Sequence, residues 1–186
     1  MVDTETTGLF GSPRDLVVDI GISKVDLDSC DVSEVYSAVV NYPSFMVMER
    51  SDSWIFHNTD LTVDDVMLGT PFPQVRSEIF NILHGRLVSS FNVAFDFSKF
   101  LYRRPWDLRD CWDEAPCIMK SSADVCRIPG CGGGYKWPKL QEAYDFFFPD
   151  MSSGPQSHRA LSDAMMAGHV LLALYTSGNY PLGVSS

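Results

Sequence analysis

Residues 3–8 read DTETTG, and this stretch constrains the chain more than any other. Asp3 and Glu5 are two apart, so in a strand they share one face and stand side by side. Two like charges at that spacing repel each other unless positive charge lies between them. The flanking pattern nevertheless demands a strand. LVVDIGISKVD (16–26) alternates, with Val18, Ile20 and Ile22 on one face, and EVYSAVVNY (34–42) reads as the next strand.

Further along, Thr62 is placed to cap a short helix from Val63, with Asp65 in the capping-box position. FPQVRSEIFNIL (72–83) sets Phe72, Val75, Ile79 and Ile82 at helical spacing. RLVSSF (86–91) predicts a buried strand, AFDFSKFLYRR (94–104) a helix stopped by Pro105, and PCIMK (116–120) another strand. GCGGG (130–134) predicts a flexible loop before a helix over 137–148 with Pro138 near its first turn. The last helix is expected from Arg159 to Thr176, closed by Gly178. The order predicts an α/β fold: a mixed sheet of three antiparallel strands and then parallel strands, flanked by helices. A length of 186 residues suits one domain, expected over 1–178, with 179–186 as a tail.

The net charge is −10, from 24 acidic and 14 basic residues. Such a chain releases few counterions from nucleic acid, which argues against a pure DNA-binding module. It permits an enzyme that grips a polyanion through divalent metal, because a bound cation inverts the local charge. The five cysteines, Cys30, Cys111, Cys117, Cys126 and Cys131, contain no CxxC pair and read as free thiols rather than as a zinc site. With no leader and no apolar run of membrane length, the expected setting is the cytoplasm or another reducing compartment.

Further carboxylates fall near element ends. Asp96 sits between Phe95 and Phe97, and Asp163 borders the stripe Ala160, Ala164, Ala167 and Leu171 on the final helix. Singly, each has an ordinary account: Asp96 as a charge at a helix N-terminus, Asp163 as a partner of Arg159. Asp3, Glu5, Asp96 and Asp163 together have no matching basic set, a combination that favours two divalent cations over salt bridges. His158, five residues before Asp163 at the end of the polar stretch DMSSGPQSH, is the candidate general base, since imidazole accepts a proton near neutrality.

These residues resemble the DEDDh group of DnaQ-like 3′–5′ exonucleases, which includes the epsilon proofreading subunit of bacterial DNA polymerase III. DTETTG is similar to the group's first motif, FNVAFDFSKFL (91–101) to its second and HRALSDA (158–164) to its third; YKWPKLQEAY (135–144) resembles the segment before the third. Phe91 departs from the usual histidine or tyrosine, and only Met1 and Val2 precede Asp3, which predicts a frayed first strand or a start downstream of the natural one. The resemblance implies a ribonuclease H-like fold and two Mg²⁺ or Mn²⁺ ions, about 3.5–4 Å apart, that clamp the attacking and leaving oxygens of a phosphodiester. It makes Asp3, Glu5, Asp96 and Asp163 the metal ligands and His158 the base that takes the proton from the attacking water. It also brings Thr6 to the terminal 3′-OH, Leu9 to the last base, and His57 and Asn92 near the substrate; for the latter two, cap or strand-end hydrogen bonding is the competing role. The implied partner is a single-stranded 3′ end of DNA or RNA, with a separate polymerase or repair chain for any proofreading role. The rival readings are a D-x-D phosphatase, disfavoured by Glu5 in the second position, a silent binding or scaffold domain of the same fold, and an RNA-trimming exoribonuclease. Oligomeric state, monomer or homodimer, is left open.

Overall fold

Strand β2, Val17–Asp26, organises the molecule because both of its faces are covered. The computed structural model describes residues 1–151 and 158–182. Within it, Val17 to Ser23 are buried without a break, so the alternation in the sequence separates two different interiors rather than inside from outside. β1 (Val2–Thr6) and β3 (Asp31–Asn41) flank β2 antiparallel. A two-residue β4 (Thr70–Pro71) lies parallel to β3. On the other side Val2 N–H donates to Ser89 O at 3.0 Å, tying β1 to the segment that follows β5 (Leu87–Val88). β5 pairs in parallel with β6 (Asp113–Glu114). The sheet is mixed, antiparallel and then parallel, with helices on its faces: the α/β architecture read from the sequence.

Val18, Ile20 and Ile22 belong to one apolar core with Val75, Ile79 and Leu83 of helix α4 (Phe72–Leu83). Helices α1 (Ser44–Met48), α2 (Trp54–Asn58) and α3 (Val63–Leu68) lie between β3 and α4 in the chain. Thr62 caps α3 in the expected reciprocal capping box with Asp65. The opposite face of β2 receives the last helix of the chain, Ala160–Thr176. Gly178 follows it at a φ of +73°, where a residue without Cβ ends a helix most cheaply.

The differences from expectation are local. Residues 116–120 are not a strand: Pro116 and Cys117 lead into helix α5, Ile118–Cys126. Ile118, Ser122 and Cys126 bury one helical face, a period that a five-residue apolar run is too short to reveal. Only Leu87–Val88 of 86–91 forms strand, and the expected helix over 94–104 is a π-helical segment, Ala94–Leu101. The helix expected at 137–148 is α6, Leu140–Phe147, which makes the last helix α7. Helices α1 and α2 were not read from the sequence, because five-residue helices carry no full period. β1 is not frayed: Met1 and Ser23 exchange bonds of 2.6 and 3.0 Å, and Val2 is fully buried. Residues 179–182, read as part of a tail, fold back; Tyr180 is buried and its hydroxyl donates to Pro116 O. The rest of that tail, 183–186, and most of the polar stretch before His158, 152–157, lie outside the described residues.

Candidate functional site

The β1–β2 register decides where the first two carboxylates point. Val2 stands opposite Ile22 and Thr4 opposite Ile20, whereas Asp3 stands opposite Gly21 and Glu5 opposite Asp19. Residues directly opposite in an antiparallel pair share a face. Val2 and Thr4 therefore join the apolar α4 side, and Asp3 and Glu5 join the side that faces α7. The start of α7 brings Asp163 there, and the π-helical segment brings Asp96 to the same cavity. A π turn widens a helix locally and often occurs where a side chain must be re-aimed. Asp96, 3% exposed, accepts a 2.7 Å bond from the Thr4 hydroxyl.

Asp3, Glu5, Asp96, Asp163 and His158 all line one cavity of about 190 Å³, with Thr4, Asn92 and a partly apolar wall of Phe91, Phe95 and Leu140. Ligand atoms of Glu5, His158 and Asp163 lie within 4.8 Å of one another, close enough to share one ion. Among the described residues this acid set meets little positive charge. Burial first, then Asp96, Asp163, Glu5 and Asp19, raises the Asp3 carboxyl well above its ordinary range. Glu5 is pushed up to about 8 by burial and by Asp163, Asp19 and Asp96, with Arg159 opposing. Asp96 is raised to about 6 by burial, held back by the Thr4 hydroxyl. Carboxylates crowded until they resist ionising are a fitting donor set for hard divalent cations, which bind oxygen and supply the absent charge.

The remaining candidates are more dispersed. Asn92 lines the cavity, but its side-chain oxygen also accepts from Phe95 N–H at 3.3 Å, a cap on the π-helical segment. Thr6, at the end of β1, donates its hydroxyl to Gly8 O, and Leu9 is largely exposed beyond it. Neither lines the cavity. His57 also stands apart on α2, where it bonds Asp52 at 3.0 Å. Trp54, one helical turn before His57, was not singled out in the sequence. Its exposed indole meets the His158 ring edge-on, centroids 5.6 Å apart. His158 itself has a φ of +48°, unusual for a residue with a Cβ.

Asp19 was also missed. It is 1% exposed. Its carboxylate accepts from Arg159 Nε at 2.8 Å and from Ala160 N–H at 3.3 Å. Arg159, offered by the sequence as a partner for Asp163, pairs with Asp19 through its side chain. A charged residue inside the apolar run LVVDIGIS was the available signal.

No family model matches the chain. Over 179 residues it is 28% identical to the 3′–5′ exonuclease DinG of Bacillus subtilis (strain 168). That overlap takes in 94% of this chain and 17% of that protein, so the chain spans only a small part of this curated relative. Among solved structures, the crystal structure of a full-length 3′-exonuclease superposes with a TM-score of 0.53 at 13% identity. It covers 96% of this chain and 60% of that one, a likeness of fold. Among the described residues no helix is long and apolar enough to cross a membrane, and all five cysteines are free.

Proposed function

We propose that the chain is a metal-dependent 3′–5′ exonuclease of the DEDDh type, which hydrolyses the terminal phosphodiester of single-stranded DNA or RNA and releases a nucleoside 5′-monophosphate. The observation that carries this reading is the convergence of four carboxylates and one histidine, from β1, the π-helical segment and the start of α7, on a single small cavity. The similarity to DinG over most of the chain supports the same class of chemistry.

Asp3, Glu5, Asp96 and Asp163 would hold two Mg²⁺ or Mn²⁺ ions, which when bound supply Lewis-acid stabilisation to the attacking and leaving oxygens. His158 is the general base: its imidazole accepts the proton of the attacking water. Thr4 keeps the Asp96 carboxyl oriented through its 2.7 Å bond. Phe91, Phe95 and Leu140 exclude bulk water from one side of the cavity and offer apolar surface to a nucleobase. Thr6 and Leu9 are assigned to the 3′-terminal nucleotide, and Asn92 and His57 to its surroundings. The domain would run over 1–178, with Tyr180 and Leu182 of the following residues packed onto its core.

Matched DNA and RNA oligonucleotides, labelled at the 5′ end and incubated with Mg²⁺ or Mn²⁺, test the proposal. A ladder shortening from the 3′ end is expected, with a 3′-phosphate terminus cut poorly. Shortening from the 5′ end, or turnover that persists in chelator, would refute it. Binding without any cleavage would favour the silent scaffold.

A further inference from the structure

Alternate residues of β2, namely Asp19, Gly21 and Ser23, face α7, and each engages its first turns. Asp19 holds Arg159 and the Ala160 N–H. Gly21 allows backbone contact: a Cβ built there would lie 2.2 Å from Leu161 N. The Ser23 hydroxyl donates to Ala164 O at 2.8 Å. Of the three, only Asp19 carries charge, and it stands directly across the strand pair from Glu5. Its partner Arg159 immediately follows His158 in the chain. Among the described residues, the His158 ring meets Trp54, and the His158 backbone is left-handed.

We infer that the Asp19–Arg159 pair is a positioning device for His158: it anchors the residue next to the base onto the strand that faces Glu5. The inference rests on the proposed exonuclease reading for its kinetic arm. Asp19 touches no substrate in this scheme and holds no ion. It fixes the backbone from which the imidazole projects, and Trp54 closes the far side of the ring. The pair is half open: Arg159 is 39% exposed in its side chain while Asp19 is 1% exposed. Removing the arginine therefore frees the anchor without opening the core, although it leaves Asp19 buried beside the acid set.

The experiment compares Asp19→Asn, Arg159→Gln and the double variant. Turnover should fall by about 10²-fold, the scale of a misplacement near 1 Å, while KM stays within about threefold. The double variant should cost no more than either single one, as expected of groups that act as a unit. A second readout needs no activity. In the parent, His158→Ala should change tryptophan emission, and Trp54→Phe should erase that change. With either anchor variant, His158→Ala should no longer alter the emission, because the ring has left Trp54. A folded Arg159→Gln protein with parental turnover overturns the inference, even if Asp19→Asn fails to fold. So does an emission change that survives in the anchor variants. If the parent cuts no oligonucleotide, the exonuclease reading fails, and the emission arm alone decides whether the pair positions His158.

Discussion

The two faces of β2 are built on opposite rules. Toward α4 the strand presents Val18, Ile20 and Ile22 to Val75, Ile79 and Leu83, a contact that any well-filled set of aliphatic side chains could make. Toward α7 it presents a carboxylate, a glycine and a hydroxyl, each matched to one atom group of the helix. The first face contributes stability in proportion to the apolar area it removes from water. The second contributes placement, because hydrogen bonds and backbone contact tolerate much less displacement. Asp3, Glu5 and Asp163 lie on the second face. A strand can be generic on one side and specific on the other because its side chains alternate.

Substitution should separate the two. On the α7 side, Asp3→Asn is expected to lower turnover by about 10³-fold or more, the several kcal/mol that lost metal coordination removes from transition-state stabilisation. The apo protein should melt no lower than the parent, because a carboxyl that burial and its acidic neighbours make costly to ionise is replaced by a neutral amide. Unaltered turnover would break the comparison at its strongest point. His158→Ala should cost about 10²–10⁴-fold in rate, with Mn²⁺ affinity by calorimetry largely retained.

Gly21→Ala tests backbone contact. Its Cβ would meet the start of α7, so about 1–3 kcal/mol of stability should be lost and turnover should fall with it. Ile20→Val, one residue away on the α4 face, should cost about 0.5–1.5 kcal/mol and leave turnover per folded molecule alone. Equal effects on turnover from these two substitutions would erase the distinction between the faces.

The smallest expected effect is one of pH. Glu5 is raised from 4.5 to about 8, so over that interval the folded chain holds a proton that the unfolded chain has released. Its contribution to stability is complete below about 4.5 and is lost as pH rises through 8. The buried Met1 amine, lowered from 8.0 to about 5, acts with the opposite sign over nearly the same window. Asp3 and Asp96 are raised as well, so the parent's own pH curve sums several groups, and Glu5→Gln against the parent isolates this carboxyl. Without divalent ions the variant should gain little in Tm near pH 4.5 and several degrees near pH 8.5, at roughly 2–4 °C per kcal/mol. Mg²⁺ or Mn²⁺ should shrink or reverse the gain by stabilising the parent. A flat difference across this range would show that Glu5 does not share the crowded field.

Local order in the sequence was enough to place β2 and β3, the capping box at Thr62, the helix over 72–83 and the last helix, because their periods run long enough to be read. It also singled out the acids and the histidine that line the cavity, since four carboxylates with no matching basic set demand cations and His158 stands five residues before Asp163. What local order could not decide was where a short run sends its side chains: 116–120 turned helical, and the segment carrying Asp96 wound as a π-helix. Nor could it pair Asp19 with Arg159, 140 residues away, or bring Trp54 to His158. Those depend on β1–β2 register and on how α7 seats against Gly21. Pairings of that kind exist only once distant segments pack, so tertiary structure alone decided them.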